Sequence, residues 1–417
     1  MKQLLKKSSS KALLMSLLFL SGAISVLAQN SSYNANTIPI NGTFSTAFGY
    51  QALLVNTGSE NSAVGYKALT SNTSGQRNTA AGYSSLFSNT TGNYNTAAGY
   101  QALYSNTSGN YNTAVGFSTM KSNTTGNFNT AIGRQALFFN TTGLANAALG
   151  EGALLNNTTG SSNTATGYFS LFNNTDGDYN TANGDQALAG NTTGFFNTAT
   201  GYFSLARDSI GSYNTAAGGF SLYSSRSAYS NTAVGYSAMY TNIIGKNNTA
   251  IGDSAGYYSL GDRNVFIGNK AGYGENGSDK LYIGNTPIKT IIYGDISTGQ
   301  LLFGNQNPTG YTFKGSRKLN VLGGILADSV RISPSSAWSD YVFSDNYNLM
   351  PLEELAKFIT ANKHLPNIPS ASDVEKNGIE LGAMNAKLLE KIEELHLYIL
   401  QQQKEINELK LLVKKRK

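Results

Sequence analysis

The chain has 417 residues with 45 Gly, 25 Tyr, two His and no Cys, and only 13% of its residues are charged. This composition excludes disulfide frameworks, thiolate metal sites and cysteine nucleophiles, and two imidazoles are too few for a histidine metal centre in one chain. The formal charge of +6 does not indicate a nucleic-acid partner, because the eight basic residues at the two ends of the chain account for all of it. Between residues 41 and 285, ten basic and ten acidic residues balance, so we expect no nucleic-acid partner. We therefore expect a protein that is not an enzyme and uses no cofactor or metal.

Residues 1–28 have the pattern of a secretory signal peptide. A basic stretch runs from Lys2 to Lys11, an apolar core follows from Ala12 to Leu20, and Val26-Leu27-Ala28 fits a cleavage site. A retained anchor helix is the alternative, but the apolar run is short for a membrane span. We expect a secreted, extracellular or cell-surface protein with no membrane span after signal removal, in which residues 29–40 form a linker.

An internal repeat fills residues 41–285. The motif Asn-Thr-Ala-x-Gly-Tyr recurs every 17 residues after a first step of 16, and two degenerate copies end the array. This gives about 15 copies. Their marker glycines are Gly49, Gly65, Gly82, Gly99, Gly116, Gly133, Gly150, Gly167, Gly184, Gly201, Gly218, Gly235, Gly252, Gly268 and Gly284.

The period is too short for a pair of helices and is typical of a parallel β-roll or solenoid. In most copies Asn stands four residues before the glycine, Ala two before it, and Leu or Met four after it. The fold prediction is mainly β, with about 15 coils of 17 residues, each made of two short strands and Gly/Asn turns. The structural repeat is represented by Asn95, Ala97, Gly99, Leu103, Ala114, Gly116, Ala131 and Gly133.

The small interior residues predict a thin core. One Leu per coil offers little apolar area against the entropy of ordering about 17 residues at 1–2 kcal/mol each. We therefore predict that the Leu and Tyr ladders are buried partly between chains. The coils, such as Asn95 to Leu103, resemble the head repeats of trimeric autotransporter adhesins, and the resemblance covers more than half of the chain. It implies a left-handed parallel β-roll in a homotrimer.

The period is lost after residue 285. Residues 286–336 predict a β-rich connector with strands at 290–295, 300–304 and 319–327. Pro351 predicts the start of a helix from Leu352 to Ala361 with one apolar face, and a Pro-bounded turn over residues 363–370 precedes a cap at Ser372 or Asp373.

Residues 381–417 predict a coiled-coil helix. Apolar positions alternate spacings of 4 and 3, and Gln402 in the seam indicates a register or oligomer-state device. Ile at a with Leu at d favours a dimer by itself, whereas the resemblance of the adjoining repeat favours a parallel trimer. The predicted trimerisation residues are Leu388, Ile392, Leu395, Ile399, Gln402, Ile406, Leu409 and Val413.

The sequence around Ala337 to Phe343, with residues 349–355, 363–366 and 384–389, resembles the tail-fibre domain of many bacterial secreted repeat proteins. That domain is related to the intramolecular chaperones of phage tail spikes. The resemblance implies a small α+β domain at residues 337–380 that drives trimerisation and folding. Some relatives cleave themselves with a Ser/Lys pair, but Ser339-Asp340 is followed here by Tyr341-Val342-Phe343 instead of a basic run.

Two ladders compete as binding surfaces. An aromatic ladder after the glycine suits sugar stacking, and a Thr ladder that includes Thr96, Thr113 and Thr130 suits a flat ice-binding array. Packing and turn hydrogen bonds are the simpler explanations. The aromatic ladder comprises Tyr50, Tyr66, Tyr83, Tyr100, Phe117, Tyr168, Tyr202 and Tyr236.

The sequence therefore favours a secreted or cell-surface, trimeric, fibrous, adhesin-like protein. Its expected partners are further copies of itself and a surface receptor or glycan that the sequence does not name. Two alternatives stay open, an ice- or glycan-binding ladder surface and a self-cleaving chaperone peptidase of the tail-spike type.

Overall fold

The computed structural model describes residues 31–33, 44–287, 289–306, 311, 313, 316–332 and 339–416. The predicted signal peptide and most of the predicted linker lie outside these residues. The chain divides into two compact units, residues 1–324 and 325–417.

The first unit is a parallel β-solenoid of about 16 turns, which confirms the mainly β class and the stacked coils. Strands of successive turns pair through equivalent residues, so that Ala97 lies opposite Ala114. The strands are β1 (Ser31–Tyr33), β2 (Thr46–Phe48), β3 (Ser62–Val64), β4 (Thr79–Ala81), β5 (Thr96–Ala98), β6 (Thr113–Val115), β7 (Thr130–Ile132), β8 (Ala147–Leu149), β9 (Thr164–Thr166), β10 (Thr181–Asn183), β11 (Thr198–Thr200), β12 (Thr215–Ala217), β13 (Thr232–Val234), β14 (Thr249–Ile251), β15 (Val265–Ile267) and β16 (Lys280–Gly284).

Each turn contributes one strand, so the prediction of two strands per coil was wrong. The segment that follows the glycine forms turns, because Gln101 and Leu103 adopt the left-handed conformation with φ of 51° and 49°. A β-strand requires negative φ. The Gln101 N–H donates to the Tyr83 carbonyl (2.9 Å) and the Leu103 N–H to the Thr119 carbonyl (3.0 Å). Hydrogen bonds between turns therefore hold a backbone that is locally unfavourable for non-glycine residues.

The core lies inside a single chain, and the prediction that the Leu ladder is buried between chains was wrong. Ala97, Ala114 and Ala131 in the strands are fully buried, and so is Leu103 in the turn. The left-handed conformation at each Leu directs its side chain into a column that neighbouring turns enclose. The apolar core is thus a column of Ala beside a column of Leu or Met along the solenoid.

Two buried ladders of Asn side chains complete the interior. Asn95 donates from Nδ2 to the Asn78 Oδ1 (3.1 Å) and to the Gly109 carbonyl (2.8 Å), and its Oδ1 accepts from the backbone N–H of Asn112 (3.0 Å). Asn106, in the second ladder, donates to the same Gly109 carbonyl (3.1 Å). Because these amides have partners in their own turn and in the next, hydrogen bonds between turns offset the cost of burying the polar groups.

Larger residues enter the Ala column at the C-terminal end of the solenoid. Phe266 pairs with Ala250 on one side and Tyr282 on the other. The Leu column changes to Gly256 and Gly272 there, and a Cβ at either glycine would lie within 2.5 Å of the Phe266 ring. The phenyl ring therefore fills the space that Leu side chains occupy in earlier turns.

The predicted connector continues the sheet. Strand β17 (Thr290–Asp295) pairs antiparallel with β16, β18 (Gln300–Gln306) pairs antiparallel with β17, and β19 (Leu319–Val321) pairs parallel with β18. The last strand is shorter than the predicted 319–327. Antiparallel pairing replaces the parallel stacking at this end of the solenoid.

In the described residues of the second unit, 325–332 and 339–416, the regular secondary structure is helical, so the predicted α+β character was wrong for this part. A 3₁₀ helix (Ser339–Phe343) precedes α1 (Leu352–Asn362), α2 (Ala371–Asn377) and α3 (Leu381–Lys415). Ser370, rather than Ser372 or Asp373, caps α2, and Asp373 completes a capping box with it. No helix within the described ranges combines the length and apolarity needed to span a membrane.

Candidate functional site

The outward face of the strands β2 to β15 is uncharged along the whole solenoid. The middle residue of each strand points into the core, and the residues on either side point outward. The second outward column is mostly apolar, as at Val64 (49% exposed) and Leu149 (50%). The first column is Thr46, Ser62, Thr79, Thr96, Thr113, Thr130, Ala147, Thr164, Thr181, Thr198, Thr215, Thr232, Thr249 and Val265. The second is Phe48, Val64, Ala81, Ala98, Val115, Ile132, Leu149, Thr166, Asn183, Thr200, Ala217, Val234, Ile251 and Ile267.

No charged residue stands at an outward position of strands β2 to β15. With strands about 4.8 Å apart, the fourteen strands form a face about 65 Å long. We call this surface the strand face. An uncharged strip of small and β-branched side chains is a surface suited to close packing against a flat partner.

The Thr side chains that make turn hydrogen bonds are not those of the Thr ladder singled out in the sequence. The Thr107 hydroxyl, in a turn, donates to the Thr124 carbonyl (3.1 Å), and Thr124 repeats this contact to Thr141 (3.0 Å). On the strand face of the described turns, the hydroxyls of Thr96 and Thr113 make no hydrogen bond to the protein. The exposed Thr column is thus free to contact water or a partner.

The aromatic side chains stack on one another. Rings of Tyr66, Tyr83, Tyr100 and Phe117 follow each other at centroid distances of 5.0–5.1 Å with nearly parallel planes. Each ring face inside such a ladder is covered by the next ring, so it is not available to a pyranose ring. Inside such a ladder only ring edges and hydroxyls remain exposed, which disfavours the sugar-stacking alternative. Three further rings, Tyr168, Tyr202 and Tyr236, pack tilted or edge-on against neighbouring Phe side chains.

One buried Asn ladder contains an acid. Asp208 occupies a fully buried position of the ladder, where its Oδ1 accepts from the Gly211 N–H (2.7 Å). Its Oδ2 has no hydrogen-bond partner, and neither does Oδ1 of Asn191, the ladder residue one turn earlier. An Asn at position 208 would offer an amide N–H there. Burial raises the pKa of Asp208 to about 6, although the Gly211 N–H opposes this shift.

The sign of this shift predicts stability that decreases as the pH rises. The folded-state pKa of Asp208 lies above the unfolded value of 3.8. Its contribution to the free energy of unfolding is therefore complete below about pH 4 and is lost as the pH rises through about 6. The difference between the two pKa values corresponds to about 3 kcal/mol of stability. Asp208→Asn is expected to abolish this dependence and to stabilise the solenoid above pH 6, because the amide restores the ladder. Urea unfolding at pH 4 and pH 8 measures both effects.

Asp176→Asn is the matched control, since Asp176 is exposed. It removes one exposed carboxylate and should not raise the unfolding midpoint at pH 8 as Asp208→Asn does. Equal unfolding midpoints for Asp208→Asn and the natural chain at pH 8 would contradict the assignment of the ladder defect to Asp208.

In the second unit, polar contacts fix the 3₁₀ helix and the following loop on one side of α3. The Ser339 hydroxyl donates to the Ala386 carbonyl (2.5 Å), and the Tyr341 hydroxyl donates to the Glu390 carboxylate (2.5 Å). The hydrogen bond to Glu390 raises the pKa of Tyr341 to about 12, so the phenol stays protonated as the donor. The Lys391 Nζ lies 2.9 Å from Oε1 of Glu390 and forms an ion pair with it. The Ser339 hydroxyl thus has a structural role, which gives no support to a self-cleaving nucleophile.

The predicted coiled-coil seam lies on the rest of α3 and is open. Leu388, Ile392, Leu395 and Ile399 are 44–55% exposed. Further along, Ile406, Leu409 and Val413 are 45–60% exposed. The structure therefore places these apolar positions in an exposed row on one helix, where a single chain does not cover them.

In the part of the chain that the structure describes, no three or more His, Asp or Glu side chains gather where they could hold a metal ion. The surfaces of interest are therefore the strand face and the α3 seam. Comparison of the sequence with protein-family models and with curated proteins found no match.

Proposed function

We propose that this is an exported, non-enzymatic fibrous protein that assembles from parallel copies of itself and displays its solenoid as a multivalent, adhesin-like binding surface. The observation that carries the proposal is the strand face, which is uncharged from β2 to β15. Export is inferred from the basic and apolar pattern of residues 1–28.

The strand face has the composition of an interface. Charged residues are depleted at the centres of protein interfaces, and this face has none at its outward strand positions. Large exposed apolar patches are uncommon on monomeric proteins. Copies in the same orientation would place equal columns against each other over about 65 Å. A homotrimer, as the resemblance to trimeric heads implies, buries one such face per chain.

The α3 seam supports the same assembly from the other unit. Its 4–3 spacing suits packing against an identical helix. Joining copies through a helix with local contacts also raises the concentration of solenoids next to each other, which favours the slow pairing of high-contact-order surfaces. The C-terminal region would therefore act as the assembly element for the solenoid.

The proposal predicts a light-scattering mass of about three times the chain mass. Ile132→Asp, which places a charge on the strand face, is expected to weaken association roughly 10–100-fold, because an unpaired carboxylate would be buried between chains. Phe139→Asp is the matched control, since Phe139 is as exposed (45%) as Ile132 (42%) but lies in a turn. Circular dichroism checks that both variants keep the β-fold.

A monomeric natural chain would overturn the proposal, and so would equal association of the two variants. In the first case a second candidate function, ice binding by the strand face, gains support, because its Thr hydroxyls are free of intramolecular hydrogen bonds. Thermal hysteresis of the monomer, lost in Ile132→Asp and kept in Phe139→Asp, would establish it. The two candidates exclude each other because they use the same face.

A further inference from the structure

An apolar groove lies between α1 and the first half of α3. We infer that this groove receives α3 of a second copy of the chain, so that α1 forms an outer layer around the assembled helices. The inference rests on the proposed homo-oligomer and adds an element that the heptad pattern does not contain. A simple coiled coil would need α3 alone.

The groove has a volume of about 500 Å³. One side is formed by Leu352 and Leu355 of α1 together with Leu365 of the following turn. The other side is formed by α3, including Leu388 and Ile392. Five of the eight predicted seam residues therefore also line the groove, and a helix that covers this part of the seam must contact α1.

Helix α1 itself indicates that its apolar face has a partner. It has 11 residues and contains no buried residue in one chain. An isolated helix of this length is marginal in water, and most helical stability in proteins comes from packing of the apolar face. Leu352 is nevertheless 45% exposed and Leu365 is 40% exposed. A second helix in the groove would cover both.

Continuity of the seam identifies the occupant as α3 of another copy. The row of apolar residues continues beyond the groove to Ile406, Leu409 and Val413, which are not part of the groove lining. A partner that covers this second part of the seam in heptad register is a helix, and the same helix continues into the groove. Every copy carries both the seam and the groove, so identical chains satisfy each other.

The charged side chains at the groove pair with each other within the chain. Lys391 Nζ lies 2.9 Å from Glu390 and 2.8 Å from Glu394, so one cation serves two carboxylates and the three groups carry a net charge of −1. The other residues that line the groove are uncharged, so an acidic partner is disfavoured. A neutral apolar stripe, such as the seam of another α3, fits better.

The test compares Leu355→Asp with Ile359→Asp in the full chain. Both residues lie on α1, but Leu355 lines the groove, whereas Ile359 is exposed (38%) and does not line it. Leu355→Asp is expected to raise the dissociation constant of the oligomer roughly 100-fold, as for a central interface residue, and Ile359→Asp to change it less than about threefold. Light scattering over a dilution series measures both. Equal dissociation constants for the two variants would overturn the inference that the groove receives α3 of a second copy.

Disulfide trapping provides a second measurement that does not disrupt packing. The chain contains no Cys, so one chain can carry Leu355→Cys and a differently tagged chain can carry Leu395→Cys. After co-refolding and mild oxidation, a disulfide that joins the two differently tagged chains is expected, because α1 of one copy lies beside α3 of the other. Cross-linking of Leu395→Cys chains only to themselves would leave a bare coiled coil and overturn the inference.

These outcomes separate the groove from the proposed function. A monomeric natural chain contradicts the homo-oligomer itself. An oligomeric natural chain whose assembly is insensitive to Leu355→Asp and forms no mixed disulfide contradicts only the role of α1.

Discussion

Replacing Gly116 by alanine is expected to destabilise the solenoid by about 3–5 kcal/mol. Gly116 has a φ of 136°, which L side chains rarely adopt, and an added Cβ would lie 2.6 Å from the Gly133 carbonyl oxygen in the next turn. Relief would require the turns to separate, which breaks hydrogen bonds on both sides. Urea unfolding followed by far-UV circular dichroism measures the change.

Gly274→Ala is the control for this substitution. Nothing lies within 4 Å of a Cβ built at Gly274. Alanine there should change the free energy of unfolding by less than about 1 kcal/mol. Similar losses for both variants would mean that close stacking of the marker glycines does not limit the solenoid.

Deleting one complete turn, residues 95–111, is expected to leave a folded solenoid. Tyr94 is then followed by Asn112, and the Ala, Leu and Asn columns all keep their register because equivalent residues are 17 apart. The loss should be about 1–3 kcal/mol, the share of one repeat in a stack of nearest neighbours. Thermal unfolding and circular dichroism provide the measurement.

Deleting nine residues, 95–103, is expected to abolish cooperative folding. This deletion removes strand β5 together with Gly99 and Leu103 but leaves the following turn residues. Neighbouring turns then lose their Asn and Ala partners, and buried amides are left without hydrogen bonds. A soluble, cooperatively unfolding protein from this variant would show that exact register is not required.

The period could be predicted from the sequence because a solenoid repeats one environment many times. Ala97 and Gly99 recur because only small residues fit where the turns stack closely. Strand boundaries near Thr96 and helix boundaries near Leu352 also follow from local patterns. The cap of α2 at Ser370 was missed because three neighbouring polar residues offered equivalent signals, and only the helix geometry selects one.

The second strand of each coil was predicted because each copy has two strand-like runs between Gly/Asn turns, but the second run forms turns in the structure. Leu103 adopts a positive φ, which its side chain disfavours, and hydrogen bonds from adjacent turns compensate for this cost. Such compensation depends on the stacked neighbours and is absent from any single repeat. The prediction that the Leu ladder is buried between chains was wrong for the same reason, since adjacent turns of one chain enclose the Leu side chains.

The sequence by itself determined the parallel stack, its 17-residue step and the small residues of the interior, because translational repetition imposes the same steric limits on every copy. It also determined the helical character of residues 381–415, since the 4–3 spacing is local. Only the tertiary structure decided which side chains point outward, that aromatic faces cover one another and that the strand face carries no charge. Orientation depends on backbone dihedral angles that contacts between turns select, and no single repeat contains those contacts.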